Sequence, residues 1–397
     1  MKTTVRFAAW FFAVLAPFFA SRTFTPESKA TPQNIGAERY IAYVGTYTTK
    51  TKSEGIYAFR YDAATGKLRP MGVAARTGDP SFLAVHPDGK HVYAVNEAGK
   101  ASMVSAFSRN ADGTLTLLNQ VPALGEDPCF LSFDRTGKYV LVANYTSGNV
   151  VVFPVLADGK LGAATSNLRD EGAHGPAKQQ ADGAHAHWIE VSKHNRFAYV
   201  SDLGLDRVLI YTFDAANGTL ARGDAGGVDG VFSAALAPGT GPRHLAFSRD
   251  ARFLYVLGEI KSTVTVFANE GGEKYRKVQT ISALPDGFAA RNDAAEIAMH
   301  PGGRCLYTSN RGDDSIAIFA VDARTGTLTA KGRVKTGGKE PRHFALDPAG
   351  RYLLAENQWS DTVVTFKIDT ATGNLTRESG EAAVASPVCL VFARAEK

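Results

Sequence analysis

Pro80-Ser81-Phe82-Leu83-Ala84-Val85, the turn Pro87-Asp88-Gly89-Lys90, and His91-Val92-Tyr93-Ala94-Val95-Asn96 form one sentence that the chain keeps rewriting. A Pro or a small stand-in opens a short apolar run, a Gly or Asn turn follows, and a second apolar run ends in Asn, Asp or Gly. The pattern returns at Pro128–Asn144, Ala186–Asp202, Pro242–Gly258, Ala294–Asn310 and Pro341–Asn357. A seventh copy opens at Pro387-Val388-Cys389-Leu390, and its missing second half stands at the other end as Tyr43-Val44-Gly45-Thr46. Such a circular permutation closes a ring.

The copies start 48, 58, 56, 52, 47 and 46 residues apart, the period of a four-stranded propeller blade and longer than most helical repeats. Each copy continues into an alternating run such as Asn149-Val150-Val151-Val152-Phe153 or Thr263-Val264-Thr265-Val266-Phe267. Period two in β-branched and aromatic residues marks a strand. A tight turn then recurs, as in Asp158-Gly159-Lys160-Leu161 and Asn217-Gly218-Thr219-Leu220, with Gly supplying the positive φ that a hairpin between outer strands needs. Only the copy around Glu270-Gly271-Gly272-Glu273 departs from that turn. No stretch from residue 40 onward sustains a 3.6 period. The sequence therefore predicts an all-β fold, a seven-bladed β-propeller over residues 39–397, closed where the N-terminal strand joins the C-terminal blade.

Residues 1–20 differ in kind. Lys2 and Arg6 precede a 14-residue apolar run, Phe7 to Ala20, short for a membrane span and shaped like a secretory leader. The expected cut follows Ala20, residues 21–38 read as a disordered linker, and the product is periplasmic or secreted with no stable membrane insertion. The alternative is an uncleaved N-terminal anchor. The formal charge of +5 falls to +3 without Lys2 and Arg6, and the remaining cations are scattered, which argues against a nucleic-acid partner. Cys129, Cys305 and Cys389 sit in or beside apolar runs and read as buried small side chains, not as a disulfide framework.

Because the copies align, each structural slot can be compared across blades. Beside the opening Pro stand Ser81, Cys129, His187, Arg243, Ala295, Arg342 and Val388; after the closing residue stand Thr46, Glu97, Tyr145, Leu203, Glu259, Arg311 and Gln358. First strands line a propeller's channel and start at one mouth, so His187, Arg243, Arg342, Glu259 and Arg311 are expected to converge there. That set suits ester or lactone hydrolysis. A base, His187 or Glu259, activates water, and guanidiniums stabilise the oxyanion and hold an acidic substrate. Taken singly, each ionic residue has a purely structural alternative, an ion pair between neighbouring strands. His185, His244 and His343 fall out of phase with the slot and are expected to pack between blades. There is no Gly-x-Ser-x-Gly elbow, His-Glu-x-x-His helix, phosphate loop or paired zinc-spaced cysteines, so no metal or cofactor is expected.

The segments Tyr43-Val44-Gly45-Thr46-Tyr47-Thr48, Ser201-Asp202-Leu203-Gly204-Leu205-Asp206, Gly241-Pro242-Arg243-His244, Thr308-Ser309-Asn310-Arg311-Gly312 and Pro341-Arg342-His343-Phe344 resemble the signature segments of the bacterial lactonase family. That family includes propeller-type 6-phosphogluconolactonases and the fungal 3-carboxy-muconate lactonizing enzyme. The resemblance runs from about residue 40 to the C-terminus. It implies a hydrolase acting on a small anionic lactone, with His187, Arg243, Glu259 and Arg311 as the catalytic set; the reaction is expected to be cofactor-free, and His185, Asn310, Arg342 and His343 are the candidate substrate-binding residues. Two long loops, Leu168–Gly183 and Arg222–Thr240, flank His187 and Arg243 and are expected to alter substrate choice. An exported protein would not meet a phosphorylated sugar lactone made in the cytoplasm. A non-catalytic binding scaffold and a muconate-type cycloisomerase are the alternatives.

Overall fold

The computed structural model describes Met1 and residues 39–222 and 232–395. The proposed leader and linker, and residues 223–231 of the second long loop, lie outside the described residues. Residues 37–397 form one compact unit. Its strands make seven antiparallel sheets, six of four strands and one of five. We number the blades by their inner strands: Phe82–Val85 (blade 1), Pro128–Phe133 (2), Ala186–Val191 (3), Pro242–Phe247 (4), Asp293–Met299 (5), Pro341–Leu346 (6) and Pro387–Arg394 (7). The fifth strand of blade 3, Phe232–Ala235, pairs with Arg207–Asp214. The only helical pieces among the described residues are short 3₁₀ turns.

The ring closes as the permuted repeat requires. Strand Arg39–Thr46 runs antiparallel to the last strand, with Tyr40 opposite Arg394 and Gly45 opposite Cys389. Between blades, apolar side chains from facing sheets fill a continuous core; Tyr93, Val95 and Val104 of blade 1 pack with Leu131, Val140 and Val151 of blade 2. Burying both faces of every blade explains why the second strands read as almost unbroken apolar runs. The three cysteines are free and buried.

At their outer ends the blades are pinned to one another by hairpin tips. Tyr93 donates to the Gly159 carbonyl at 2.6 Å, Tyr139 to Ala216 at 3.0 Å, Tyr307 to Gly373 at 2.8 Å and Tyr352 to Ala64 at 3.0 Å. In each pair the tyrosine belongs to the blade preceding the tip. The tip has to be bare: a Cβ on Gly218, whose φ is +67°, would stand 2.1 Å from the Tyr139 ring.

Candidate active site

Inner strands do not alternate cleanly where they begin. The register slips between Pro128 and Phe130, Ala186 and Trp188, Pro242 and Leu245, Ala294 and Ile297, and Pro341 and His343. A bulge admits an extra residue and re-aims side chains. Consecutive residues therefore face the channel together: Arg243 with His244, and Arg342 with His343, line one cavity that also meets Glu296, Cys129, Glu97 and Tyr47. This corrects the expectation that His244 and His343 pack between blades, which rested on strict alternation. The cavity holds about 10 Å³, the room of a single water molecule.

Beside it, two guanidiniums converge on one carboxylate. Arg243 Nε and Arg311 Nη2 lie 2.9 and 3.0 Å from Glu259 Oε2, and Arg311 Nη1 lies 3.9 Å from Glu340. The two short contacts bring charge together without aligned hydrogen bonds, so Arg243 Nε and Arg311 Nη2 keep buried donors unspent. Burial alone would raise the Glu259 pKa, but Arg311, Arg243 and Arg342 outweigh it and hold the group below the usual range. Burial, and then repulsion from Arg311, draws Arg243 down to about 10, so it stays a cation at neutral pH. Arg243 Nη1 also donates to the Ala295 carbonyl, and Arg311 Nε to that of Asp293 at 3.1 Å. Arg342 donates to Tyr47 Oη at 3.1 Å, and Tyr47 to Glu97 at 2.7 Å.

His187 sits beside this group, its ring 5.2 Å from that of His244 and 5.5 Å from that of Tyr145. Its Nδ1 is 3.6 Å from Cys129 Sγ; among the described residues its Nε2 makes no hydrogen bond. Burial first, then Arg243, His244 and Arg342, push its pKa well below the ordinary imidazole value. His187 is therefore a neutral imidazole with a lone pair to offer. His185 lies just before the strand, stacked on Tyr145 at 4.6 Å and close to its carbonyl through Nδ1, at 3.0 Å. Asn310 does not reach the channel group: its amide donates to the Ala283 carbonyl at 3.0 Å and receives Asn292 at 3.3 Å within blade 5 and its approach.

A second chain of groups lies under the guanidiniums. Because an arginine can only donate, the 3.3 Å contact of Arg243 Nη1 with His244 Nε2 makes that nitrogen an acceptor. His244 Nδ1 then donates to Glu296 Oε2 at 3.0 Å. His343 Nδ1 accepts the Leu390 N–H at 3.4 Å and faces Glu356 Oε2 at 2.7 Å, so Glu356 must carry the proton between them. His343 Nε2 is left facing Glu296 at 3.5 Å. Burial, with the nearby Glu296 charge, raises Glu356 well above the ordinary carboxyl value, and burial lowers His343. Glu296 also accepts the Ile297 N–H at 2.9 Å. Phe82 and Phe130, 4.3 Å apart, and Trp188, 5.6 Å from Phe130, sit beside these groups in the channel, with Phe130 5.2 Å from the His244 ring.

Glu296 and Glu356 escaped the slot comparison. Glu296, His244 and His343 share the next position along, otherwise filled by Phe82, Phe130, Trp188 and Cys389. Glu356 interrupts the apolar run Tyr352-Leu353-Leu354-Ala355 one residue before the closing Asn357. Both were visible as ionisable residues in apolar columns.

The channel mouth of this propeller gathers three guanidiniums, a clamped carboxylate and a neutral imidazole, groups whose chemistry suits an anion or an oxyanion. The family described as lactonase, 7-bladed beta-propeller, matches residues 41–392. A 6-phosphogluconolactonase of Bacillus subtilis is 36% identical over 308 residues, 77% of this chain and 84% of that relative. One from Formosa agariphila is 31% identical over 315 residues, covering 76% and 85%. The structure of a periplasmic gluconolactonase of Pseudomonas aeruginosa superposes with a TM-score of 0.83 at 34% identity, over 90% of this chain and all of that one. This chain belongs to the seven-bladed β-propeller lactonase family, a family of hydrolases.

Proposed function

We propose that the protein opens a sugar-acid or other anionic lactone by adding water to the ring carbonyl. His187 Nε2 takes a proton from the attacking water as oxygen bonds to the carbonyl carbon. The carbonyl electrons move to oxygen, where Arg243 and Arg311 present donors that Glu259 does not use. The tetrahedral adduct collapses, the ring C–O bond breaks, and the imidazolium returns its proton to the departing alkoxide, leaving a hydroxy acid. Glu259, held as a carboxylate by three arginines, is a poor base and serves to orient the guanidiniums.

The observation that carries this reading is the convergence of Arg243 and Arg311 on one carboxylate oxygen beside a neutral imidazole. The names of the relatives support lactones of gluconic acid, with and without phosphate, as first substrates. An exported form of the protein fits the apolar leader and the periplasmic neighbour; no helix among the described residues is long and apolar enough to cross a membrane. The test is ring opening of gluconolactone and its 6-phosphate, followed by pH-stat above the spontaneous rate. Arg243→Ala and His187→Asn should each lower kcat by about 10² or more, the loss typical of removing an oxyanion donor or a general base. Unchanged rates in both would remove the assigned roles.

A further inference from the structure

A sizeable cavity lies away from the mouth. Inner strands begin at the arginine cluster and end on the opposite face, and there, between blades 3 and 4, lies a cavity of about 700 Å³. Its cause is the one hairpin whose sequence broke the repeat. A Cβ at the tip glycine of every other blade, Gly66, Gly113, Gly159, Gly218, Gly326 or Gly373, would come within 3 Å of a side chain of the preceding blade. At Gly271 and Gly272 nothing lies within 4 Å. The blade 4 tip thus stands off from blade 3, and the gap is spanned by a side chain. Glu273, in a left-handed turn at φ +61°, accepts the hydroxyl proton of Tyr199 from blade 3. Tyr275 Oη lies 2.9 Å from Tyr199 Oη and receives Asn269 Nδ2 at 3.3 Å. Phe247 packs edge-on to Tyr199 with centroids 5.0 Å apart.

We propose that this cavity is a second binding site, for a hydroxylated small anion of sugar-acid size. The volume is that of a small-molecule site. A carboxylate shared by two phenols, with an amide beside it, offers the acceptors and donors that ligand hydroxyls need, and Phe247 with Tyr199 supplies an apolar wall for a carbon skeleton. At the rim, Lys193 and Arg249 line the same cavity and make no ion pair among the described residues, whereas the acids Glu190 and Asp250 that also line it are paired with Arg135 and Arg252. Lys193 and Arg249 select for negative charge, which a carboxylate or a phosphate can equally supply. The assignment follows from this chemistry and does not depend on the lactone reading.

The experiment is calorimetric titration of the full chain with gluconate, 6-phosphogluconate and glucose, run in the Arg243→Ala background so that the channel mouth does not contribute. One of the two anions should bind at least tenfold more tightly than glucose, and which one does so decides between carboxylate and phosphate. Glu273→Gln and Arg249→Ala should each weaken that binding at least fivefold. Ala298→Trp, which fills the cavity from its wall, should abolish it with unfolding temperature retained. Absence of binding by both anions, affinity equal to that of glucose, or affinity unmoved by all three substitutions overturns the proposal. In an otherwise wild-type chain the same three variants should keep full ring-opening activity, so a failure here is separable from a failure of the catalytic reading.

Discussion

Glu356 offers the sharpest test of how the channel's charges are arranged. It is wholly buried, one oxygen is unpartnered, and the other faces a His343 nitrogen that already accepts a backbone N–H. The group is therefore a neutral acid in the folded protein, with a pKa well above the ordinary 4.5. The unfolded chain gives up that proton near 4.5 while the folded one keeps it, so between the two pKa values the native state binds more protons. Stability from this residue is complete below the unfolded value and is lost as pH rises, at about 1.4 kcal/mol per pH unit, until the folded pKa is reached. Glu356→Gln keeps a donor toward His343 and removes the titration. Its stability relative to wild type should thus improve as pH rises from 5 to 7, by up to about 1.4 kcal/mol per unit, read from urea unfolding at both values. A difference that stays flat, or that turns against the variant as pH rises, would show that Glu356 is ionised and paired with an imidazolium. The tautomers assigned to the chain would then be wrong.

Further outcomes follow from other residues. With its pKa driven well below 6.5, His187 should remain a competent base in mild acid. The enzymatic rate should therefore hold level through pH 6.5, where an ordinary imidazole would be half lost, and a fall centred there would reject His187 as the base. Glu259→Gln leaves Arg243 and Arg311 facing each other without their shared carboxylate; it should cost about 3 kcal/mol in urea unfolding and lower kcat/KM, whereas an unaltered unfolding curve would show that the clamp is solvent-screened. Gly218→Ala and Gly272→Ala both meet a positive φ, worth about 1 kcal/mol, but only the first drives a methyl into a ring, 2.1 Å from Tyr139. It should lower the unfolding temperature clearly more than the second, and equal shifts would contradict the stand-off of the blade 4 tip.

The ring was legible because its repeat is written in residues with backbone consequences: the opening Pro, the turn Gly, the closing Asn. Arg243, Glu259 and Arg311 were legible because equivalent slots in other blades hold unrelated side chains, so charge there has no shared structural cause. The inner layer was not. Strict alternation sends His244 and His343 away from the channel, and the bulges that turn them back leave no mark that a two-residue period can register. Asn310 shows the converse: it occupies a slot filled in most blades by Asn or Asp, and its amide serves the blade. The blade 4 hairpin stands out in the sequence as an exception, but a broken motif does not say whether the tip moves or what its absence opens.

The seam between Arg39–Thr46 and Pro387–Arg394 has a bearing on how the molecule is made. Its partners are separated by nearly the entire polypeptide, so every other blade can assemble from neighbours in sequence while this sheet waits for the last strand to be synthesised. Until then the first strand presents an open edge, the kind of surface that recruits foreign strands. Biogenesis thus has a late, concentration-sensitive step at one joint, where a delay would favour intermolecular pairing over closure.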